Sequence, residues 1–184
     1  MSEGWRALLP YKGNGQSKTR LHVSTGQQLS QQWLEGVVQQ CQQTSLIESI
    51  WVVSLGDLFK LPERVGWLRQ SRPGLNEGIQ EWLDLHRPRR WVVLLPDLPH
   101  LGSEDVLQLL TACPADGIAL APDRRDEGCN GLAVREAHPQ LCFGPNSFRL
   151  YQQQGLNTAI VRRPGLAYDV DTAADWESIA WHQV

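Results

Sequence analysis

Long apolar runs are missing from this 184-residue chain: nothing approaches the roughly 20 consecutive apolar residues of a membrane-spanning helix. The first ten residues hold only about five apolar positions around Arg6, too few for a secretory signal. Surplus positive charge is missing too. Seventeen Lys and Arg stand against 20 Asp and Glu, a formal net charge of -3. That argues against nucleic acid as a partner, because a basic footprint supplies most of that affinity. Cysteine is scarce, and Cys41, Cys113, Cys129 and Cys142 form no C-x-x-C pair. This spacing excludes a zinc ribbon and a thioredoxin-type redox motif, and reads as reduced thiols of a cytoplasmic protein. The five histidines, His22, His86, His100, His138 and His182, lack metal spacing. Only His100, three residues after Asp97, stands near another candidate group. No Ser-His arrangement for nucleophilic catalysis is found, and no internal repeat or linker.

What is present fits one domain spanning residues 1–184, long enough to bury roughly 70% of the surface of its unfolded chain. Short apolar runs alternate with helical patterns. Trp5 to Leu9 reads as a strand, about Gly26 to Gln43 as an amphipathic helix despite its many glutamines, and Ile50 to Ser54 as a strand. Leu75 to His86 sets Leu75, Ile79, Trp82, Leu83 and His86 on one helical face, and Trp91 to Leu95 follows as a continuous apolar strand. Ser103, with Glu104 and Asp105 after it, is expected to cap a helix that runs to Cys113 and stops at Pro114. Strands are expected at Gly117 to Ala121, Gly131 to Arg135 and near Thr158 to Arg162. A short helix follows Ser147, and a last one opens at the Thr172 and Asp175 capping pair. The eight tryptophans read mainly as core. Alternating strands and helices predict an α/β fold, a mostly parallel sheet flanked by helices, with ligands at the carboxyl ends of the strands.

The residues with chemistry to offer do follow strands. After the first comes the loop Lys12, Gly13, Asn14, Gly15, Gln16, Ser17, Lys18, Thr19, Arg20, rich in positive charge and suited to phosphates. It is not a P-loop, because Ser17 stands where glycine must precede the lysine, nor a dinucleotide fingerprint, because Lys18 takes the third glycine's place. A solvated basic loop is the other reading. Asp97 ends a buried strand, where an unpaired carboxylate is costly. Asp169 and Asp171 alternate onto one side of an extended segment. Asp97 and Asp169 suit one magnesium ion that keeps its remaining positions for water and nucleotide phosphates. Asp171 is either a third ligand or the introduction to the last helix. Ala121 to Arg125 and Gly128 to Asn130 lie between these groups. The turn from Phe143 to Ser147 opens a helix whose N–H groups could receive an anion, or is a plain turn capped by Asn146 or Ser147.

Taken together, Lys12, Lys18 and Arg20, the Gly74–Leu75–Asn76 segment, Asp97–Leu98–Pro99, Ala121 to Asp123, Phe143 to Ser147 and Asp169 to Thr172 resemble the 2-phospho-L-lactate guanylyltransferases of coenzyme F-420 biosynthesis. The resemblance runs in order from about Leu8 to Asp175. It implies a nucleotide-diphospho-sugar transferase-like fold of the molybdenum-cofactor nucleotidyltransferase type. It implies GTP as donor and 2-phospho-L-lactate, phosphoenolpyruvate or 3-phospho-D-glycerate as acceptor, with pyrophosphate released. By that resemblance Asp97 and Asp169 carry Mg2+, with Asp171 the less firm ligand, and Cys129, Gly144 and Ser147 form the acceptor site. Lys18 is expected to act in catalysis, and Lys12, Lys18, Arg20 and Asn76 to bind GTP. Further expectations are no membrane partner, a homodimer, and a product passed to a deazaflavin transferase. Cys129 departs from the threonine common in the family. A thiol is only a weak donor, so this residue is expected to reset the ranking of acceptors. The rival functions are a nucleotidyltransferase for another phosphorylated acceptor, and a non-catalytic nucleotide-binding partner protein.

Overall fold

The computed structural model describes residues 4–12, 23–56 and 61–170, with the backbone alone for 23–29. Its elements run β1 (Trp5–Tyr11), α1 (Val23–Gln43), β2 (Ile47–Ser54), β3 (Val65–Arg69), α2 (Leu75–His86), β4 (Arg90–Leu94), α3 (Ser103–Ala112), β5 (Gly117–Pro122), β6 (Cys129–Arg135), α4 (Ser147–Gln152), β7 (Asn157–Ile160) and α5 (Pro164–Ala167). The strands form one seven-stranded sheet in the order β3-β2-β1-β4-β6-β5-β7. The pairings β1–β2, β1–β4, β2–β3 and β5–β7 are parallel. Only β6 runs the other way, antiparallel to both β4 and β5.

The apolar runs become strands because both faces of this sheet are covered, so inward and outward positions alike must be hydrophobic. On one face Ala7, Leu9, Val92, Leu94, Ala119 and Ala133 pack under Leu34, Val37, Val38 and Cys41 of α1 and Val106, Leu109 and Leu110 of α3. On the other, Leu8, Val53, Trp91, Val93, Leu120 and Leu132 pack under Ile79 and Trp82 of α2 and Phe148 and Tyr151 of α4. Small residues thus line the first face at β5 and β6, and aromatic bulk fills the second. Trp82 is fully buried, a burial that contributes roughly 3 kcal/mol on the usual scale for large apolar side chains.

Three features differ from what the sequence suggests. The strand β3 at one edge alternates half-buried and exposed residues, and its Trp67 is 41% exposed; among the described residues Trp5, Trp33, Trp82 and Trp91 are the buried tryptophans. The start of α3 is not capped by Ser103. Gly102 is the N-cap, and the Asp105 carboxylate accepts its N–H at 3.0 Å. The segment after β7 contains the single turn α5, begun by Pro164 in the position where its missing N–H costs nothing. The helix expected after Thr172 lies outside the described residues.

The sheet order reverses direction at β1, since the chain moves outward to β2 and β3 and then returns to β4 on the other side. Such a switch point opens a crevice at the carboxyl end of the sheet. Here the β1–β4 pairing covers Arg6–Trp91 to Leu8–Val93, and Pro10, two residues further on, has no N–H to extend it. On the other flank β1 stays paired with β2 as far as Tyr11–Ser54. At that end Lys12 follows β1 and the Leu95–Asp97 segment follows β4.

Candidate active site

Two segments that carry carboxylates are joined through their backbones at this end of the sheet. Leu95 N–H donates to the Asn130 carbonyl at 3.0 Å, carrying the β4 direction one residue past the strand, and Val170 N–H donates to the Asp97 carbonyl at 3.1 Å. The second bond sets the Asp169 segment against the Asp97 segment. Buried anchors on both sides, Leu98, Leu166 and Val170, fix the pair to the core. The 164–170 segment has two further ties. Asn130, 2% exposed, donates Nδ2–H to the Leu166 carbonyl at 3.0 Å, and Arg124 N–H donates to the Ala167 carbonyl at 3.0 Å. Asp97 and Asp169 are both half-buried, and their oxygens are hard donors of the kind Mg2+ takes from one or two carboxylates while it keeps water on its other positions. Among the described residues no group of three or more His, Cys, Asp and Glu forms a metal cluster. Asp171, Lys18 and Arg20 lie outside the described residues. Lys12 is exposed at the end of β1, and His100 is exposed on the turn beyond Asp97.

A loop that the sequence reading left without a role organises the opposite wall. Asp123, just past β5, accepts N–H bonds from Arg125 (2.9 Å), Glu127 (3.0 Å) and Gly128 (2.7 Å), so one carboxylate folds the whole β5–β6 connection. An Asp that closes a turn on its own backbone is a recognised device, and the Asp123 to Gly128 spacing between two apolar strands was the available signal. From this loop the Glu127 carbonyl accepts Phe148 N–H at 3.2 Å and Cys129 N–H donates to Ser147 Oγ at 2.9 Å. The loop therefore braces both the Asp169 segment and the Phe143–Ser147 turn.

The expected acceptor residues take on different tasks. Cys129 is 3% exposed, its thiol donates to the Gly131 carbonyl at 3.1 Å, and it packs with Leu120, Leu132 and Phe148. Burial pushes that thiol up to about 12, so it is a neutral core group. The thiol faces the core and the backbone N–H is taken by Ser147. Ser147 is 1% exposed with its hydroxyl taken by Cys129, and Ser147 N–H turns back to the Gly144 carbonyl at 3.1 Å. With Phe148 N–H given to Glu127, the helix start is largely occupied by the protein itself. Gly144 remains open: its φ of +133° favours glycine, and an added Cβ would meet nothing within 4 Å. Asn76, expected on the nucleotide side, pairs with the backbone of Phe143 as a strand neighbour would. Its Nδ2–H donates to the Phe143 carbonyl at 3.0 Å, and its Oδ1 accepts Phe143 N–H at 2.9 Å. It tethers the turn to the start of α2.

The mostly parallel sheet with its one reversed strand, covered by helices on both faces, has the nucleotide-diphospho-sugar transferase-like fold. A nucleotidyl transferase from Methanothermobacter superposes with a TM-score of 0.64 at 13% identity, covering 98% of each chain. The chain belongs to the family described as Guanylyl transferase CofC like, whose model matches residues 5–183. It is similar to the phosphoenolpyruvate guanylyltransferase of Sphaerobacter thermophilus, 40% identical over 123 residues, 62% of this chain and 59% of that one. It is also similar to the 3-phospho-D-glycerate guanylyltransferase of Phenylobacterium zucineum, 33% identical over 147 residues, 73% of this chain and 67% of that one. The match thus spans about three fifths to two thirds of these relatives' length.

Proposed function

We propose that this protein joins GTP to a small phosphorylated three-carbon acid and releases pyrophosphate. The observation that carries the reading is the Val170–Asp97 backbone bond at 3.1 Å, which seats two carboxylate-bearing segments together at the switch-point crevice. In the reaction an oxygen of the acceptor phosphate attacks the α-phosphorus of GTP. One P–O bond forms, the bond to the β-phosphate oxygen breaks, and the electron pair leaves with pyrophosphate. The acceptor phosphate is already ionised at neutral pH, so no side chain need remove a proton.

The remaining task is to hold two anions in line and neutralise the charge that builds up on the leaving group. Asp97 and Asp169, joined by Asp171 in this reading, hold Mg2+, which when bound screens the nucleotide phosphates. Lys12, Lys18 and Arg20 bind those phosphates, and Lys18 counters the charge of the leaving pyrophosphate. Asn76 acts by fixing the Phe143–Ser147 turn, so that Gly144 offers backbone to the acceptor. The family and the names of its relatives support phosphoenolpyruvate, 3-phospho-D-glycerate and 2-phospho-L-lactate as the acceptors to test; in this reading the reaction serves coenzyme F-420 biosynthesis and its product goes on to a deazaflavin transferase. No described helix is long and apolar enough to cross a membrane.

The test is incubation with GTP, Mg2+ and each of the three acids, following pyrophosphate release and the mass of the product. A guanylylated acid is expected with at least one of them. Pyrophosphate release with none of the three would reject this acceptor class.

A further inference from the structure

We infer that Asp105 and Arg163 form a clamp that sets the spacing of the Asp97 and Asp169 segments, and that both are positioning residues for the divalent cation. The inference rests on the metal site proposed above. The two segments come from distant parts of the chain, so their carboxylates share an ion only if one segment is fixed against the other. The Val170–Asp97 backbone bond does so at one point. One bond is a pivot, and a second fixed point is needed to stop rotation about it.

Asp105 supplies that point. It lies in the first turn of α3 and is 8% exposed, and each of its oxygens serves a different segment. Oδ2 accepts Gly102 N–H at 3.0 Å, which closes the stretch that leads from Asp97 into α3. Oδ1 accepts Arg163 Nε–H at 2.8 Å, and Arg163 is the N-cap of α5, on the stretch that leads to Asp169. A helix cap requires only the first of these bonds. The second joins residues 58 apart, and it gives a deeply buried carboxylate the cation it needs, held in a fixed direction by the planar guanidinium.

Gly165 shows how closely the two stretches are pressed together. A Cβ there would overlap the Asp105 carboxylate and stand 2.7 Å from the His100 carbonyl oxygen, so glycine answers a close approach of backbone to side chain. The post against which Arg163 is held is firm. Ser103 N–H donates to Gln40 Oε1 at 2.9 Å, tying the start of α3 to α1, and Val106 and Leu109 are fully buried. The single turn of α5 carries the placement forward. Ala167 N–H donates to the Arg163 carbonyl at 3.0 Å and Tyr168 N–H to the Pro164 carbonyl at 3.3 Å, so Asp169 follows directly on a turn whose origin is clamped. The bond-making step passes through neither Asp105 nor Arg163.

The experiment reads the cation directly, with Mn2+ as the probe and its Kd measured by electron paramagnetic resonance well below each protein's thermal midpoint. Wild type should bind Mn2+, and Asp97→Asn should lose it. Arg163→Gln and Asp105→Asn should each weaken binding roughly tenfold, the low end of the range for groups behind a metal ligand. The double variant should be no weaker than either single one, because the two side chains act as one pair. Arg163→Lys should recover part of the loss. Val38→Ala cuts the core in α1 and leaves the clamp intact, so it should lower the midpoint and keep wild-type Mn2+ affinity. Where an acid is turned over, the Mg2+ concentration for half activation should rise in step, with KM for GTP at saturating Mg2+ within about twofold of wild type. Mn2+ affinity lowered by the clamp variants upholds the inference even if no acid is turned over, an outcome that sinks only the reaction. Wild-type affinity in a folded Arg163→Gln protein, an equal loss in Val38→Ala, or no Mn2+ bound by wild type would overturn it.

Discussion

At the scale of single residues, the two carboxylates carry the sharpest expectation. Asp97→Asn and Asp169→Asn each keep the shape of the side chain and remove a charge from the proposed metal site. Turnover should fall by more than the roughly 10- to 100-fold typical of groups behind a metal ligand, while the thermal midpoint shifts little. Initial rates at several Mg2+ concentrations check this, and near wild-type activity of Asp97→Asn at limiting Mg2+ would contradict the assignment. Cys129 carries the opposite expectation. Its Sγ is buried against Gly131 and reaches no open surface, so Cys129→Thr should change stability by no more than about 1–2 kcal/mol and leave the order of preference among acids unchanged. A competition assay with mixed acids reads that order. In sequence Asp97 stands out because it follows the apolar run of β4, and Asp169 because it alternates with Asp171 along one segment. The sequence could not show that the Cys129 thiol turns into the core, or that Ser147 spends its hydroxyl on the backbone of residue 129. Both facts depend on how β6 and α4 meet, and no local pattern encodes that meeting.

At the scale of elements, most strands and helices were readable because the two-faced sheet turns each strand into an unbroken apolar run, and α2 spans the predicted Leu75–His86. The strand β3 was not, because an edge strand is half solvated and Val65-Gly66-Trp67-Leu68-Arg69 contains a glycine and a large exposed ring. One turn of helix such as α5 is too short for any period to show. The direction of β6 was equally hidden, since a buried strand looks the same read either way. The tether between α2 and the Phe143–Ser147 turn is also invisible in sequence, being one Asn76 side chain paired with the backbone of residue 143. Asn76→Ala removes both bonds and leaves a part-buried N–H and C=O to find other partners, which should cost about 1–3 kcal/mol. Urea unfolding measures that cost, and faster amide exchange at Phe143 than in wild type would place it at the tether. A stability unchanged within error would show that the turn stands without Asn76.

At the scale of the whole molecule, stability should respond to pH through His86. This residue lies between Trp51, with ring centroids 4.3 Å apart, and Trp82, at 5.0 Å. Its pKa is lowered, first by burial and then by the charge of Arg6. The folded state therefore prefers neutral His86. Its contribution is fully present above the ordinary histidine value near 6.5 and is lost as pH falls through that value toward the depressed one, because the unfolded chain takes up the proton first. The urea midpoint should decline between about pH 7.5 and 5.5, and His86→Phe, which keeps a ring between the tryptophans, should flatten that decline. An equal slope in both proteins would assign the effect elsewhere. A different consequence follows from the lone reversed strand. The sheet's two groups of strands meet only where β4 and β6 pair, from Arg90–Arg135 to Leu94–Gly131. The chain crosses from one group to the other near the exposed residues Ala115 and Asp116. A break there would yield two polypeptides, one with β1 to β4 and Asp97, the other with β5 to β7 and Asp169. Neither could work alone, so activity regained on mixing them would be a direct signal of two chains finding each other.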